Sequence, residues 1–249
     1  MPTFSLFMTT LFISDLHLSD EHPEITDCFL TFIEQEAPEA DALYILGDLF
    51  EAWIGDDDEA PLHHKVKTGL KALTNKGIPV YFIHGNRDFL IGKRFAKETG
   101  IKLLPEHCVV NLYEKPVLIM HGDTLCTQDL AYQQYRQKVH NSFIQWLYLR
   151  LPLGIRRKIG ERLRSGSKSH NAQKSQMIMD VEQATVLNVM ADENVDLLIH
   201  GHTHRPDVHQ VTVNGRRGQR IVLGDWYEQG SVLVVTSEGA ELQNRRFSE

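Results

Sequence analysis

Five short apolar runs constrain this chain more than any other feature, because each leads directly into side chains able to bind a metal. The runs are "TLFIS" at 10–14, "ALYIL" at 42–46, "PVYFI" at 79–83, "PVLIM" at 116–120 and "DLLI" at 196–199. Each has the length and aliphatic, β-branched content of a strand buried on both faces. Between the first three lie helical stretches, "ITDCFLTFIEQEA" and "LHHKVKTGLKALTNKG", the second closed by Gly77 with Pro79 beyond it. That is how a helix is expected to stop. Alternation of strand, helix and strand predicts an α/β fold with a largely parallel sheet.

In open α/β sheets, ligands bind beyond the carboxyl ends of the strands. Here the runs lead into "DLH" with Asp15 and His17, "GDLFEAW" with Asp48, "HGNRD" with Asn86, "HGD" with His121, and "HGHTH" with His202 and His204. Singly, each has an ordinary explanation: Asp and Asn favour turns, and a lone histidine is usually a satisfied core residue. Seven oxygen and nitrogen donors after five consecutive runs instead predict a metal centre. Asp15 with His17, and His202 with His204, stand at i and i+2, so each pair is expected to point one way from an extended segment. By the same alternation His84 and His200 are expected to face away from the metals.

Composition narrows the field further. With 249 residues, 42% of them hydrophobic and 24% charged, the chain reads as one globular unit, neither disordered nor an integral membrane protein. The N-terminus lacks the basic segment of a signal peptide, and Met1 and Met8 both remain open as the biological start. Cys28, Cys108 and Cys126 fit no CxxC pattern and suit buried, reduced thiols of a cytosolic protein. Charge is segregated: residues 130–174 hold ten Lys or Arg against Glu161 alone, in a chain whose net charge is −7. One region therefore wants an anionic partner, while the acidic remainder argues against a nucleic-acid binder.

That basic region lies in an insertion. About eighty residues separate His121 from His202, far more than a crossover needs. Within it, "FIQWLYLRLPLGIRRKIGERLR" at 143–164 interleaves aromatic and aliphatic residues with arginines, and Pro152 and Gly154 divide it into two helices. Such a segment either packs as a hairpin on its own domain or lies on a lipid surface.

The set D-x-H, G-D, G-N-x-D, H-G-D and G-H-x-H, across residues 11–206, resembles the calcineurin-like metallophosphoesterases. The resemblance implies a four-layer αββα sandwich of two mixed β-sheets flanked by helices, in a single domain over 1–249 with a helical lid inserted at about 128–180. It also implies two divalent ions: one on Asp15, His17 and His204, the other on Asn86, His121 and His202, with Asp48 bridging. Carboxylate, amide and imidazole donors without thiolate suit Mn²⁺ first, and also Fe²⁺ or Zn²⁺. Asp123, two residues beyond His121, is expected to orient that ligand.

The longer strings "YILGDLFEAWIGDDD", "YFIHGNRDFLIGKRFA", "LIMHGDTLCTQD" and "LIHGHTHRP" are similar to the branch of that family that cleaves the pyrophosphate of UDP-2,3-diacylglucosamine. The likeness implies UMP and 2,3-diacylglucosamine 1-phosphate as products, attack at the phosphorus nearer uridine, and a role in lipid A synthesis. It further implies a peripheral place on the anionic cytoplasmic face of an inner membrane, with no nucleic acid or obligate protein partner. Positions matching substrate contacts are Asn86, Arg87, Asp129, Ser167, Asn171, Lys174 and His202; Asp48, Asn86, Arg87, His121 and His202 are implied in catalysis. Asp56, Asp57 and Asp58 belong to the pattern but are expected to form a solvated acidic loop.

Many members of the wider family carry G-N-H-D or G-N-H-E, whose histidine protonates a departing alkoxide. Here that position is Arg87, and guanidinium cannot supply a proton. A sugar phosphate leaving a pyrophosphate needs none, since its second pKa is near ~6. Arg87 is instead suited to hold two oxygens of that phosphate, the alternative being a brace paired with Asp88. Two other functions stay open: a pyrophosphatase for a soluble nucleotide, which would not need the aromatic insertion, and a non-catalytic scaffold on this fold, which would be expected to have lost ligands.

Overall fold

The computed structural model describes residues 8–171 and 180–247, with side chains left out at 165–171. All five runs are strands. β1 (Thr9–Ile13), β2 (Ala42–Leu46), β3 (Val80–Ile83) and β4 (Lys102–Leu103) lie parallel in one sheet; β10 (Gly230–Thr236) and β11 (Ala240–Arg245) extend it antiparallel beyond β1. The second sheet has the order β5 (His107–Leu112), β6 (Lys115–Met120), β7 (Leu197–His200), β9 (Arg216–Val222) and β8 (Asp207–Val213), with β6, β7 and β9 parallel. Both sheets are mixed, as expected.

Strand alternation sorts the apolar side chains into three cores. Phe12, Tyr44, Leu46, Ile83 and Leu233 meet Ile119, Ile199 and Ile221 between the sheets. Leu11, Ile13, Leu43, Ile45 and Phe82 face the other way, onto α1 (Pro23–Gln35), α2 (Pro61–Asn75) and α3 (Lys93–Thr99). Leu118, Met120 and Leu198 face α7 (Gln183–Asp192) through Val186 and Met190. The result is the αββα layering, and burial on both faces explains why the strands read as unbroken apolar runs.

Between β6 and α7 the chain forms α4 (Leu130–Val139), α5 (Ser142–Leu149) and α6 (Leu153–Asn171). Asp129 caps α4 by accepting from Tyr132 N, and Asn141 caps α5, each satisfying amides that a helix start leaves free. Neither α4 nor α5 buries any residue fully, whereas α6 buries Arg156 against the domain.

Candidate metal centre

The carboxyl ends of β1, β2, β3, β6 and β7 converge, and all seven predicted donors meet there. Backbone bonds fasten the turns together: Asp15 N donates to Gly47 O at 3.1 Å, His17 N to Asp48 O at 3.0 Å, and Gly201 N to His121 O at 2.8 Å. The i, i+2 pairs do reach one cluster, but not from extended chain. Asp15, His17, Asp48, His202 and His204 all sit in left-handed backbone, at φ between 51° and 70°. For residues other than glycine this costs about 1–3 kcal/mol each and is usually retained where function requires it. Gly85 permits the closest approach, since a Cβ there would lie 2.1 Å from Asp48 Oδ1.

The donor atoms form a continuous set. His204 Nε2 lies 3.3 Å from His17 Nε2 and 3.4 Å from Asp15 Oδ1. Asn86 Oδ1 lies 3.0 Å from His121 Nε2 and 2.9 Å from His202 Nδ1. Asp48 Oδ2 falls between the groups, 3.9 Å from His17 Nε2 and 3.7 Å from His121 Nε2. Asp15, His17 and His204 can share one ion, as can Asp15, Asp48 and His121. Asp15 Oδ1 is fully buried and accepts no well-aligned hydrogen bond, His204 Nε2 standing 3.4 Å away. A buried carboxylate oxygen left without an aligned donor, ringed by imidazoles, is what a divalent cation completes.

Protonation within the cluster is strongly polarised. Burial opposes the charge on Asp15, yet His204, His121 and His17 outweigh it and hold the carboxyl far below its ordinary range. Burial also opposes the His204 cation, but the neighbouring carboxylates of Asp15 and Asp225 push it up to about 10. His202 goes the other way: burial, then the neighbouring His121, drives it well below the ordinary value.

The groups that hold the donors differ in part from expectation. His121 Nδ1 faces Leu46 O at 2.8 Å, so a backbone carbonyl, not Asp123, orients that ring. Asp123 instead accepts from Tyr132 Oη at 2.6 Å and Arg136 Nε at 2.7 Å. Asp225 Oδ2 stands 3.2 Å from His204 Nδ1, and Glu51 Oε2 stands 2.9 Å from His17 Nδ1. Neither was anticipated. Yet Asp225 carries a visible signal: "VLGDW" repeats the apolar-run, Gly, Asp pattern of "ILGDL". Burial resists ionisation of Glu51, but His17, Arg87 and Arg164 bring its pKa down to about 2. His84 and His200 turn away, toward Ile91 O at 2.7 Å and Gly201 O at 2.8 Å.

Arg87 is not a brace for Asp88. The buried Asp88 carboxylate accepts from the amides of Leu49, Gly85 and Asp48. Burial and the nearby Asp48 raise its pKa to about 7. The Arg87 amide donates to Asp48 Oδ1 at 2.8 Å, while its buried Nε has no partner. The guanidinium lines a cavity of about 570 Å³, together with Asn86, Glu51, Tyr132, Ile144, Tyr148, Leu163 and Arg164. The candidate metal centre therefore opens into the space beneath α4, α5 and α6.

The acidic run is not a solvated loop. Asp56 accepts from Gly92 N, Arg94 N and Phe95 N at the start of α3. Asp57 takes a two-pronged contact from Arg156, and Asp58 pairs with Arg157 at 2.7 Å. Burial of Asp58 and exact pairing of this run explain the difference: it is the seat on which α6 docks. Of the remaining implied substrate contacts, Asp129 caps α4, and Ser167 and Asn171 lie on the backbone of α6. Their side chains, and Lys174 altogether, lie outside the described residues. Cys28, Cys108 and Cys126 are all free thiols; Cys28 and Cys126 are buried as expected, whereas Cys108, on β5 at the edge of its sheet, is only partly so.

Comparison with known proteins identifies the class. Residues 8–206 match the calcineurin-like phosphoesterase family, and the chain belongs to that family. Within it, the chain is 60% identical over 242 residues to the UDP-2,3-diacylglucosamine hydrolase of Photobacterium profundum, covering 97% of this chain and 99% of that protein. Proteins of the same name from Vibrio parahaemolyticus and Escherichia coli O127:H6 are 54% and 57% identical, covering 97% and 94% of this chain and 100% and 98% of theirs.

Proposed function

We propose that this protein hydrolyses the pyrophosphate bond of UDP-2,3-diacylglucosamine at the phosphorus nearer uridine, releasing UMP and 2,3-diacylglucosamine 1-phosphate. One observation carries this: a cluster of seven metal-competent donors, flanked by Arg87, opens into a largely apolar cavity walled by inserted helices. The relatives' names supply the particular substrate.

Asp15, His17 and His204 would hold one divalent ion, Asn86, His121 and His202 the other, with Asp48 between them; Mn²⁺ suits this donor set best. Bound there, the ions supply Lewis acidity and water activation at neutral pH. Arg87 holds the departing sugar phosphate through its planar fork, meeting charge as it grows. No proton donor is needed at that position, because a phosphate leaving group departs as an anion. Asn86 brings an uncharged donor, leaving more positive charge for the substrate. The acyl chains occupy the cavity beneath α4, α5 and α6, which act as a lid, and Asp129, Ser167, Asn171 and Lys174 contact the sugar side.

Among the described residues no helix is long and apolar enough to cross a membrane. Phe143, Trp146, Leu147, Ile155 and Leu163 are exposed on the inserted helices, and Arg150 lies over the Trp146 ring at 3.9 Å. An amphipathic aromatic and basic face suits peripheral binding to the anionic inner face of a cytoplasmic membrane.

The test is a parallel assay of the Mn²⁺-loaded protein on UDP-2,3-diacylglucosamine, a soluble UDP-sugar and an aryl phosphomonoester. Strong preference for the lipid is expected. Equal turnover of the soluble UDP-sugar refutes the lipid assignment, and preference for the monoester refutes the argument from Arg87.

A further inference from the structure

We propose that Glu51 is a positioning residue that couples the seating of α6 to the affinity of the metal centre. The inference rests on the metal reading above.

One carboxylate faces both groups. Glu51 Oε2 approaches His17 Nδ1 to 2.9 Å, close enough for a hydrogen bond that a small rotation of either side chain would align, and Glu51 Oε1 lies 3.0 Å from Arg164 Nε on α6. The other end of the same guanidinium reaches Glu21 at 3.1 Å. Glu51 itself is 7% exposed, and its amide donates to Leu18 O at 3.1 Å, which holds it beside the turn that carries Asp15 and His17. The two nitrogens of His17 thus face different partners: Nε2 faces His204 and Asp48, while Nδ1 faces Glu51. A carboxylate on the far nitrogen of a ligating histidine selects its tautomer and fixes its ring, and losing one typically costs 10- to 100-fold in metal affinity.

Here that carboxylate is shared with the lid. With α6 seated, Arg164 holds one oxygen of Glu51 and leaves the other directed at His17. With α6 lifted, Glu51 keeps only its backbone anchor and is free to rotate away. Glu51, Arg87 and Arg164 line the same cavity, so a molecule filling it presses on the lid end of this relay. Coupling free energies are reciprocal. A ligand that seats α6 therefore tightens metal binding, and bound metal favours the seated lid.

Charge and position predict opposite signs for one substitution, which makes the proposal testable without turnover. Arg164→Ala removes a positive charge near the site, so electrostatics alone would strengthen cation binding; loss of positioning would weaken it. Mn²⁺ binding to metal-stripped, full-length protein is measured by equilibrium dialysis, and the environment of the ions by electron paramagnetic resonance. Wild type is expected to take up two ions with the signature of a coupled pair. Glu51→Gln should bind one of them 10- to 100-fold more weakly and show an isolated ion. Arg164→Ala should shift the same ion in the same direction, several-fold, with an unchanged melting temperature. Tighter or unchanged Mn²⁺ binding in Arg164→Ala overturns the coupling, and unchanged binding in Glu51→Gln overturns the positioning role. Failure of wild type to bind two ions would instead strike the underlying metal assignment.

Discussion

Replacing Arg156 with methionine should detach α6 while leaving the two sheets intact. The side chain is only 2% exposed, and each of its three nitrogens donates. Nε donates to Leu151 O at 2.9 Å, Nη1 to Ile54 O at 2.7 Å and to Asp57 Oδ1 at 2.8 Å, and Nη2 to Asp57 Oδ2. Gly55, at φ 136°, makes room: a Cβ there would lie 2.3 Å from Nη1. Methionine fills the aliphatic volume but donates nothing. The Asp57 side chain is 53% exposed and returns to water at small cost, so that pair counts for at most about 1 kcal/mol. The two carbonyls lose charged donors in a buried setting, about 1–3 kcal/mol each, less what they recover from water as the helix lifts. The net is about 2–4 kcal/mol, or roughly 30- to 1000-fold in the opening equilibrium at 1.36 kcal/mol per decade. Amide hydrogen exchange reads this directly: peptides from Leu153 to Arg164 should exchange faster by about that factor, while β2 and β7 keep their protection. Unchanged exchange in α6 would show that Arg156 is not the fastening. Equal acceleration in the strands would show that α6 is part of the cooperative core and not a lid.

Substitutions at three other positions probe the site and its surroundings. Arg87→Lys keeps the charge but loses the fork, and should lower kcat/KM on the pyrophosphate by about 100-fold. Arg87→His should bring no gain there, and a faster reaction in steady-state kinetics would mean the leaving group had lacked an acid. Gly85→Ala puts a methyl 2.1 Å from Asp48 Oδ1, an overpacking cost of about 1–3 kcal/mol; metal content by elemental analysis should fall before the thermal midpoint collapses, and full metal content refutes the fit. His140, stacked on Phe89 at 4.9 Å, has its pKa lowered to about 4 by burial, then by Arg136. The fold keeps this ring neutral, whereas the unfolded chain binds a proton below about pH 6.5. The contribution of His140 to stability should therefore decline as pH falls from about 6.5 to 4 and stay flat above that window. The urea midpoint of wild type should drop there relative to His140→Gln, and parallel pH curves refute the assignment.

What could be read from the sequence depended on how far apart the cooperating residues lie. The seven donors were legible because each follows its own strand, so chain order already places it at the common edge of an α/β sheet. Asp225 too follows an apolar run, but its work is to hold His204 and not to stand among the donors. Glu51 was not recognisable at all. A bridge between Leu18 and Phe50 brings it to His17, and no periodicity announces such a contact.

The charge segregation shows the same limit and sharpens the membrane proposal. Residues 130–174 read as a basic surface awaiting an anion, but four of those arginines are already engaged. Arg136 pairs with Asp123 and Glu106, Arg156 with Asp57, Arg157 with Asp58, and Arg164 with Glu51 and Glu21. The acidic run and the basic insertion are largely two halves of one internal docking surface, 99 residues apart in the chain. Less charge is left for a lipid surface than composition implies, while Phe143, Trp146 and Leu147 remain 67%, 49% and 53% exposed. Membrane attachment should then depend more on apolar insertion than on counter-charge. In sedimentation with anionic vesicles, Trp146→Ala should weaken binding several-fold, and raising salt from 0.05 to about 0.5 M, enough to screen exposed charges, should weaken it less. Complete release by salt, with Trp146→Ala indistinguishable from wild type, would mean that the cations of the insertion carry the attachment after all.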